Sequence, residues 1–270
     1  MARPTIHPAQ TWALVTGAGS GIGRSFALQL AAMGYNLVLV GNREEPLKEV
    51  AKELKPLVEG QIFHTLSLDL ARLEAAEELY EAIGAAGIEI DLVINNAGIF
   101  SFCDVLKTDE EKIERMLLLH DMTATKLCRR YAQRMVERGV KGHILNMSSY
   151  SLWMPYPGLA IYSASKAYLK AFSVAFSKEV AEQGLTVTTI CPAGVATDLY
   201  GLTPKLQQLG VRIGGLITPD RCAKRALKAL WRGARCSVPD WWNRLWIPLL
   251  VVLPMWIIRP IRRYTMQFQK

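Results

Sequence analysis

Three side chains in the middle of the chain have the types and spacing of an acid–base centre. Tyr162 and Lys166 are four residues apart in Tyr162-Ser-Ala-Ser-Lys166, so on a helix they lie on one face. The ordinary pKa of a tyrosine is about 10, and a fixed ammonium beside it favours the phenolate. Ser149 follows a short apolar run, where its hydroxyl can hydrogen-bond a substrate oxygen as charge develops. These residues predict proton transfer at a carbonyl or hydroxyl oxygen.

A glycine-rich turn near the N-terminus predicts a nucleotide site. Four glycines fall within seven residues, directly after an apolar run of strand length: Gly17, Gly19, Gly21 and Gly23. Glycines let the chain turn sharply and bring backbone N–H groups close to a ligand, and the next helix offers its N-terminus to a pyrophosphate. The alternative is a turn with a purely structural role.

The end of the second predicted strand indicates which cofactor is bound. An NAD site usually has an acidic residue about 20 residues after the glycine turn, but here the chain reads Gly41-Asn42-Arg43. The planar guanidinium of Arg43 can pair with a 2′-phosphate, and Arg24 can add positive charge. The sequence therefore favours NADP(H) over NAD(H), unless both arginines are solvated surface residues.

Alternation of strands and helices positions these groups. Apolar runs of strand length alternate with helical patterns from residue 12 to about 230, which predicts an α/β fold with one doubly wound parallel sheet, the Rossmann type. We expect a domain over residues 1–238, with a substrate lid at about 198–217, and an apolar C-terminal tail over 239–270. The predicted strands are Trp12–Thr16, Asn36–Val40, Ile62–Leu66, Leu92–Ile94, Gly142–Asn146 and Thr186–Ile190.

In this order the motifs closely resemble those of the short-chain dehydrogenase/reductase family, over roughly residues 10–235. The resemblance implies an oxidoreductase in which Tyr162 is the acid or base, Lys166 lowers its pKa and holds the nicotinamide ribose, and Ser149 orients the carbonyl. It implies that Asn95 braces the sheet. Separately, no histidine or cysteine lies at metal-ligand spacing, so no metal site is expected. The implied cofactor contacts are Gly17, Gly19, Ser20, Gly21, Ile22, Gly23, Asp69, Leu70, Asn96, Ala97, Gly98, Tyr162, Lys166, Pro192, Val195 and Thr197.

Two positions depart from the family pattern. Where members often have an asparagine that holds a water of the proton relay, this chain has His120, with Asp121 beside it. His120 either binds a water or relays a proton as a fourth catalytic residue, or it is a structural histidine. Ala193 stands where a glycine commonly follows the proline, and we expect Gly194 to supply the backbone freedom instead.

Apolar and aromatic residues are expected around the substrate. The segment after the last core strand contains Leu199 and Tyr200, and Trp153, Met154 and Tyr156 follow the catalytic serine. Such walls suit a lipophilic ketone or alcohol, although the same residues could simply pack the lid onto the body. The prediction is an NADPH-dependent reductase of a 3-oxoacyl or keto-lipid group. The alternatives are a hydroxysteroid dehydrogenase and a catalytically idle cofactor-binding scaffold. The resemblance also implies a homo-dimer or tetramer.

The positive charge of the chain is concentrated at its C-terminal end. The net charge of the 270 residues is +8, yet residues 220–270 alone carry 11 Lys and Arg against 2 Asp and Glu. Four of the seven tryptophans also lie between Trp241 and Trp256. Nucleic-acid binding is disfavoured because an apolar run separates the arginines.

The apolar run from Leu245 to Ile258 is 14 residues without a charge, about 21 Å as a helix. A hydrocarbon core is about 30 Å thick, and Pro248 and Pro254 interrupt a regular helix. We expect an element that lies in the surface of a membrane; the alternative is a tail packed on the body or across an oligomer interface.

The remaining features predict where the protein is found. Residues 1–10 have no apolar segment of the kind that a signal peptide needs. The five cysteines have no CxxC pair and are expected to be reduced thiols. We therefore expect a cytoplasmic protein, peripheral on the inner face of a membrane.

Overall fold

The computed structural model of the protein describes residues 11–57, 60–154, 156–252 and 254–265. Within these residues, seven parallel strands form one sheet in the order β3-β2-β1-β4-β5-β6-β7. The strands are β1 Trp12–Thr16, β2 Asn36–Gly41, β3 Phe63–Ser67, β4 Ile90–Asn95, β5 His143–Met147, β6 Thr186–Ile190 and β7 Cys236–Ser237. The predicted doubly wound α/β fold is confirmed.

Helices cover both faces of the sheet. They are α1 Gly21–Ala32, α2 Glu44–Leu54, α3 Ala75–Ala85, α4 Glu110–Leu117, α5 Ala124–Glu137, α6 Ala160–Glu179, α7 Pro204–Arg212, α8 Pro219–Trp231, α9 Trp241–Arg244, α10 Ile247–Val251 and α11 Met255–Thr265. One core layer packs α1 and α8 on the sheet, and the other packs α3 and α5 on the opposite face. The central strands are buried on both sides, which explains their uninterrupted apolar sequences.

Element boundaries differ from the sequence predictions in a few places. Strand β4 is longer than the predicted Leu92–Ile94, and β3 and β5 each lie one residue later than predicted. Helices α4 and α5 are joined by a π-type turn over Leu118–Thr123, which adds a residue to the helical repeat. Helix α1 begins at Gly21, inside the glycine turn. The two-residue strand β7 was not predicted, since so short a run gives no periodic signal.

The expected backbone freedom at Gly194 is not used. The φ angle of Gly194 lies outside the left-handed region. The position instead needs a glycine because there is no room for a side chain. A Cβ there would lie 2.4 Å from Cδ2 of Leu216 and 3.0 Å from the carbonyl oxygen of Gly215. A glycine is required because the lid segment packs directly on this backbone.

The described part of the C-terminal tail is folded against the body by several contacts. The Tyr150 hydroxyl donates to the Asn243 carbonyl oxygen at 2.5 Å, and Arg262 pairs with Asp104 at 2.8 Å. Ile258 is buried, with 4% of its surface exposed. Pro248 and Pro254 divide the segment into short helices, as predicted. None of the helices in the described ranges is long and apolar enough to cross a membrane.

Candidate active site

A cleft of about 750 Å³ opens at the carboxyl ends of the strands. It lies where the strand order reverses between β1 and β4, the usual ligand position in such sheets. Most of the predicted site residues line it: Gly17, Ser20, Gly21, Ile22, Arg43, Asp69, Leu70, Asn96, Ala97, Gly98, Ser149, Tyr162, Lys166, Pro192, Val195 and Thr197. Gly19, Gly23 and His120 do not line it.

The glycine turn is shaped by close backbone approaches. Gly17 and Gly21 have φ values of 64° and 53°, a left-handed conformation that favours glycine. A Cβ on Gly17 would lie 2.9 Å from Cα of Ala97, and one on Gly21 would lie 3.1 Å from Cγ2 of Thr197. The backbone amides therefore face the cleft without side chains in the way, as a dinucleotide pyrophosphate requires.

Gly19 and Gly23 serve packing rather than the cleft surface. A Cβ on Gly23 would lie 2.0 Å from the carbonyl oxygen of Gly17, and one on Gly19 would lie 2.9 Å from Cβ of Pro46. These two glycines bring helices α1 and α2 against the turn. They position the amides that a cofactor would meet.

The clash at Gly23 makes a testable prediction about folding. We expect Gly23→Ala to lower the free energy of unfolding by about 3 kcal/mol or more, because the methyl group overlaps a backbone atom that cannot move away. Gly84→Ala is the matched control: Gly84 lies in α3 with nothing within 4 Å of an added Cβ, so alanine should raise stability by about 0.5–1 kcal/mol. Thermal unfolding of both variants checks this, and equal melting temperatures would contradict it.

Two polar residues hold the loop after β4. The Thr16 hydroxyl accepts from the backbone amides of Asn96 at 2.9 Å and Ala97 at 3.0 Å. The Asn96 amide group donates to the Thr16 carbonyl oxygen at 3.0 Å. Asn95 donates to Asn146 on the neighbouring strand at 2.8 Å, the bracing that the family resemblance implied. The loop is therefore fixed before any cofactor binds.

At the adenosine end of the cleft, Asp69 is held by two donors. Its carboxylate accepts from the Ala71 backbone amide at 3.0 Å and from Arg115 at 2.9 Å. Burial raises the pKa of Asp69, but the Ala71 amide and the Arg115 guanidinium outweigh it, so the net pKa is lowered. Asp69 therefore stays ionised and fixed beside the cleft. Arg115 is a residue that the sequence did not single out.

The two arginines predicted to select the cofactor differ in their surroundings. Arg24 is engaged by Glu53, whose carboxylate accepts both its Nε and its Nη2 hydrogens. Arg43 is exposed at the start of α2, lines the cleft, and has no hydrogen bond or ion pair within the described part of the chain. The unpaired guanidinium at the ribose end is therefore that of Arg43.

Ser149, Tyr162 and Lys166 come together at the base of the cleft. The Ser149 hydroxyl lies near the Tyr162 phenol and lowers its pKa, and it accepts from the Ser151 amide at 3.1 Å. The Lys166 ammonium lies 5.8 Å from the centre of the Tyr162 ring and donates to the Met147 carbonyl oxygen at 3.1 Å. All three side chains are buried.

Burial dominates the acidities of this group. It raises the pKa of Tyr162, the Tyr200 phenol adds to the rise, and the Ser149 hydrogen bond lowers it only in part. Burial also lowers the pKa of Lys166 from 10.5 to about 8, despite the nearby Asp121 carboxylate. The sequence led us to expect a lowered tyrosine pKa. In the protein alone the shift is in the opposite direction, and it keeps the phenol protonated.

His120 sits behind the catalytic residues, within the π-type turn. Its Nε2 accepts from the Ile99 backbone amide at 3.0 Å, so the proton is on Nδ1, which donates to the Ser165 hydroxyl at 2.9 Å. Ser165 in turn donates to the Tyr162 carbonyl oxygen at 2.9 Å. Burial first and the Lys166 charge second lower the pKa of His120 well below its usual value. Both ring nitrogens are thus occupied in a neutral imidazole.

The substrate side of Tyr162 is aromatic. Phe100 packs edge-on against Tyr162 at 5.1 Å and against Tyr200 at 5.0 Å between ring centres. Leu199 and Tyr200 line the cleft as expected, whereas Trp153 and Met154 line a separate pocket beside α6 and α10. Phe100 was missed by sequence reasoning, although an aromatic residue two places after the Asn95–Gly98 motif is a usable signal.

Comparisons with known proteins agree with this geometry. The model of the family described as short chain dehydrogenase matches residues 11–206. A "Probable oxidoreductase EphD" of Mycobacterium tuberculosis is 37% identical over 201 residues, which are 74% of this chain and 34% of the relative. A "Very-long-chain 3-oxoacyl-CoA reductase" of Pyricularia oryzae is 36% identical over 181 residues, 66% of this chain and 54% of the relative. The chain thus spans about a third to a half of the length of these relatives.

A solved structure shows the same fold with a nucleotide. The short-chain dehydrogenase from Sphingobium yanoikuyae in complex with NADPH superposes with a TM-score of 0.76 at 27% sequence identity. The match covers 90% of this chain and 96% of that structure. The described cleft is therefore built on a scaffold that binds a nicotinamide dinucleotide in a similar protein.

Proposed function

The chain belongs to the short-chain dehydrogenase family, and from that membership we propose that it is an NADPH-dependent reductase of a lipophilic ketone, with a 3-oxoacyl or keto-lipid group as substrate. The observation that carries the proposal is the aromatic cluster beside Tyr162: Phe100 packs edge-on against the rings of Tyr162 and Tyr200, and Tyr200 lines the cleft next to Leu199. Apolar walls with one convergent polar group favour a substrate that is apolar apart from its carbonyl. The name of the Pyricularia relative, a very-long-chain 3-oxoacyl-CoA reductase, supports the same substrate class.

In this mechanism the residues of the chain hold and protonate the carbonyl oxygen. When bound, NADPH supplies the hydride. Ser149 donates a hydrogen bond to the oxygen, and Tyr162, whose raised pKa keeps it protonated at neutral pH, gives its proton as charge develops. The Lys166 ammonium then stabilises the phenolate that remains. Phe100 packs edge-on against the Tyr162 ring and helps to hold it in place.

We assign His120 a positioning role. Through Ile99 on one side and Ser165 on the other, it connects the loop after β4 to the helix that carries Tyr162. A neutral ring with both nitrogens engaged has no free site for relaying a proton. His120 acts through the placement of Tyr162 and does not take part in the chemical step.

The lowered pKa of Lys166 predicts the pH dependence of the reduction. The ammonium is present at neutral pH and is lost as the pH rises through about 8, so kcat/KM should fall by about tenfold per pH unit above that value. The raised pKa of Tyr162 cannot produce this decline, because the phenol stays protonated there. Rates measured between about pH 6 and about pH 10 check this expectation.

Lys166→Arg separates the two groups, because a guanidinium does not titrate in this range. Whatever its absolute rate, the variant should show no alkaline decline. A decline at the same pH in Lys166→Arg would contradict the assignment to Lys166.

We further propose that the tail over residues 239–270 places the enzyme on a membrane surface, while residues 1–238 form the catalytic domain with its lid at about 198–217. The docked tail directs several apolar side chains outward: Trp242, Leu245, Trp246, Leu249, Val251, Val252 and Trp256. Exposed Arg244, Arg259 and Arg263 lie among them. Exposed tryptophans beside arginines favour the headgroup region of an anionic bilayer. The inward residues Ile247, Leu250 and Ile258 hold the tail on the body.

Charged substitutions on the outward face test this proposal. We expect the double change Val252→Glu and Trp256→Glu to reduce binding to anionic liposomes by about tenfold or more, because each large apolar side chain buried in lipid contributes about 1.5–3 kcal/mol. Val252 and Trp256 are 70% and 73% exposed, so the fold should tolerate the change. Leu57→Glu with Ile62→Glu is the matched control, since these side chains are 61% and 59% exposed just before β3, the edge strand opposite β7. Equal co-sedimentation of both variants would contradict a membrane role for the tail.

The substrate proposal is tested by the oxidation of NADPH with a panel of ketones. We expect kcat/KM to rise with chain length in a series of 3-oxoacyl thioesters and to be low with short polar ketones. A higher kcat/KM with oxosteroids than with every acyl ketone would favour a hydroxysteroid dehydrogenase. No turnover with any member of the panel would favour a cofactor-binding scaffold.

A further inference from the structure

Two cysteines outside the catalytic group lie side by side at the edge of the sheet. The sulfur atoms of Cys191 and Cys236 are 3.9 Å apart, which is close to van der Waals contact. Cys191 follows β6 and Cys236 begins β7, and the Cys191 amide donates to the Ser237 carbonyl oxygen at 2.8 Å. Both side chains therefore extend from neighbouring parallel strands toward the same side. No other pair of cysteine sulfurs in the described part of the chain is in hydrogen-bonding contact.

The two thiols have different accessibility and acidity. Cys191 is fully buried, whereas Cys236 is half-buried and can be reached from solvent. The hydrogen bond from the Cys191 thiol, followed by the charges of Lys170 and Arg244, lowers the pKa of Cys236 to about 7. The pKa of Cys191 is raised by the same contact with Cys236 and by the burial of the Cys191 side chain. Cys236 is thus the accessible thiolate, with Cys191 directly behind it.

We propose that Cys191 and Cys236 form a reversible thiol–disulfide modification site that responds to a low-molecular-weight disulfide such as glutathione disulfide. The Cys236 thiolate attacks one sulfur of the oxidant, and the first thiolate of the oxidant leaves. The Cys191 sulfur then attacks the Cys236 sulfur of the mixed disulfide, and its proton goes to the second departing thiolate. Two protein thiols become one disulfide, and the oxidant is reduced to two thiols.

The position of the pair connects it to the catalytic cleft. Cys191 is bonded to Pro192, which lines the cleft, and the Pro192 carbonyl oxygen accepts from the Tyr150 amide next to Ser149 at 2.8 Å. A disulfide requires a sulfur–sulfur distance of about 2.05 Å, whereas the two sulfur atoms are now 3.9 Å apart. Closing the bridge therefore draws the end of β6 and the start of β7 toward each other. The backbone at Pro192 then shifts, and kcat/KM should fall by about fivefold or more, a usual size for coupling between sites.

Oxidation of the purified full-length chain tests the proposal. After treatment with glutathione disulfide and alkylation of the remaining thiols, mass spectrometry of the digest should show one cross-linked peptide that joins Cys191 to Cys236. Dithiothreitol should remove the cross-link and restore kcat/KM. Glutathione that stays on Cys236 with no cross-link would overturn the proposal, and a cross-link that leaves kcat/KM unchanged would overturn the coupling to the cleft.

Variants identify the order of the two steps. Cys191→Ser should retain a stable glutathione adduct on Cys236, whereas Cys236→Ser should remain unmodified, because Cys191 is buried. Cys103→Ser is the matched control: Cys103 is also half-buried but has no second sulfur beside it, so the cross-link should form as in the unchanged protein. If either serine variant does not fold, the reversible cross-link in the unchanged chain still decides the question. None of these readouts depends on the identity of the lipid substrate.

Discussion

Tyr162→Phe should reduce kcat by about 10³-fold, which is within the usual contribution of a positioned general acid. The affinity for NADPH should change by less than about twofold, which corresponds to less than about half a kcal/mol. The substitution removes only the hydroxyl that Ser149 holds. The ring remains packed against Phe100, and the helix remains tied through Ser165. The loss should therefore appear in the chemical step and leave folding and cofactor binding intact. Steady-state kinetics and a cofactor titration by fluorescence measure the two effects separately.

The same helix supplies the control. Tyr168→Phe removes a hydroxyl that contacts Thr125 at 3.1 Å on the exposed side of α6, so kcat should change by less than about twofold. A Tyr162→Phe enzyme that retained a tenth or more of the original kcat would show that another group donates the proton.

Arg43→Asp should shift the preference from NADPH toward NADH by about 100-fold or more. A charge-assisted hydrogen bond to the 2′-phosphate contributes about 1.5–3 kcal/mol, and the new carboxylate repels that phosphate while it can accept from the 2′-hydroxyl of NADH. The ratio of kcat/KM for the two cofactors measures the shift. Arg43 is suited to this role because its guanidinium lines the cleft and has no partner among the described residues.

Arg24→Gln is the matched control for Arg43→Asp. Glu53 already engages the Arg24 guanidinium on two hydrogens, so its removal should change the cofactor ratio by less than about fivefold (under 1 kcal/mol). An equal shift in both variants would show that general surface charge, and not contact at Arg43, sets the preference.

The positions of the strands along the chain and the motifs that line the cleft could be predicted because each depends on local sequence. Buried parallel strands are continuous apolar runs, and the glycine turn and Tyr162–Lys166 have fixed spacings within single elements. Ser149 and Tyr162 meet because both follow β5: Ser149 lies just after the carboxyl end of the strand, and Tyr162 is in the first turn of α6, the helix that comes next. Even so, the sequence did not distinguish the glycines that face the cleft from Gly19 and Gly23. A side chain on Gly19 would meet Pro46, which is far away in sequence, and one on Gly23 would meet a main-chain oxygen.

The role of His120 was open because it depends on contacts between distant segments. Ile99 and Ser165 lie 21 and 45 residues away in sequence, and the π-type turn that aims the ring has no periodic signal of its own. The direction of the Tyr162 pKa shift was also missed, because the burial of a side chain follows from packing and not from its neighbours in sequence. For the tail, Ile258 is packed on the body, as one of the two sequence alternatives expected, whereas Trp256 is exposed; a position on a membrane surface stays a prediction.

In the proposed reaction Tyr162 protonates the carbonyl oxygen of a long-chain keto-lipid, and bound NADPH would supply the hydride to the carbonyl carbon. The most direct measurement uses NADPH deuterated at the transferable position of the nicotinamide, with a long-chain 3-oxoacyl thioester as substrate and mass spectrometry of the product. We expect a 3-hydroxyacyl product with deuterium on the carbinol carbon, formed by the unchanged enzyme and lost in Tyr162→Phe. A product without deuterium at that carbon, or no 3-hydroxyacyl product at all, would contradict it.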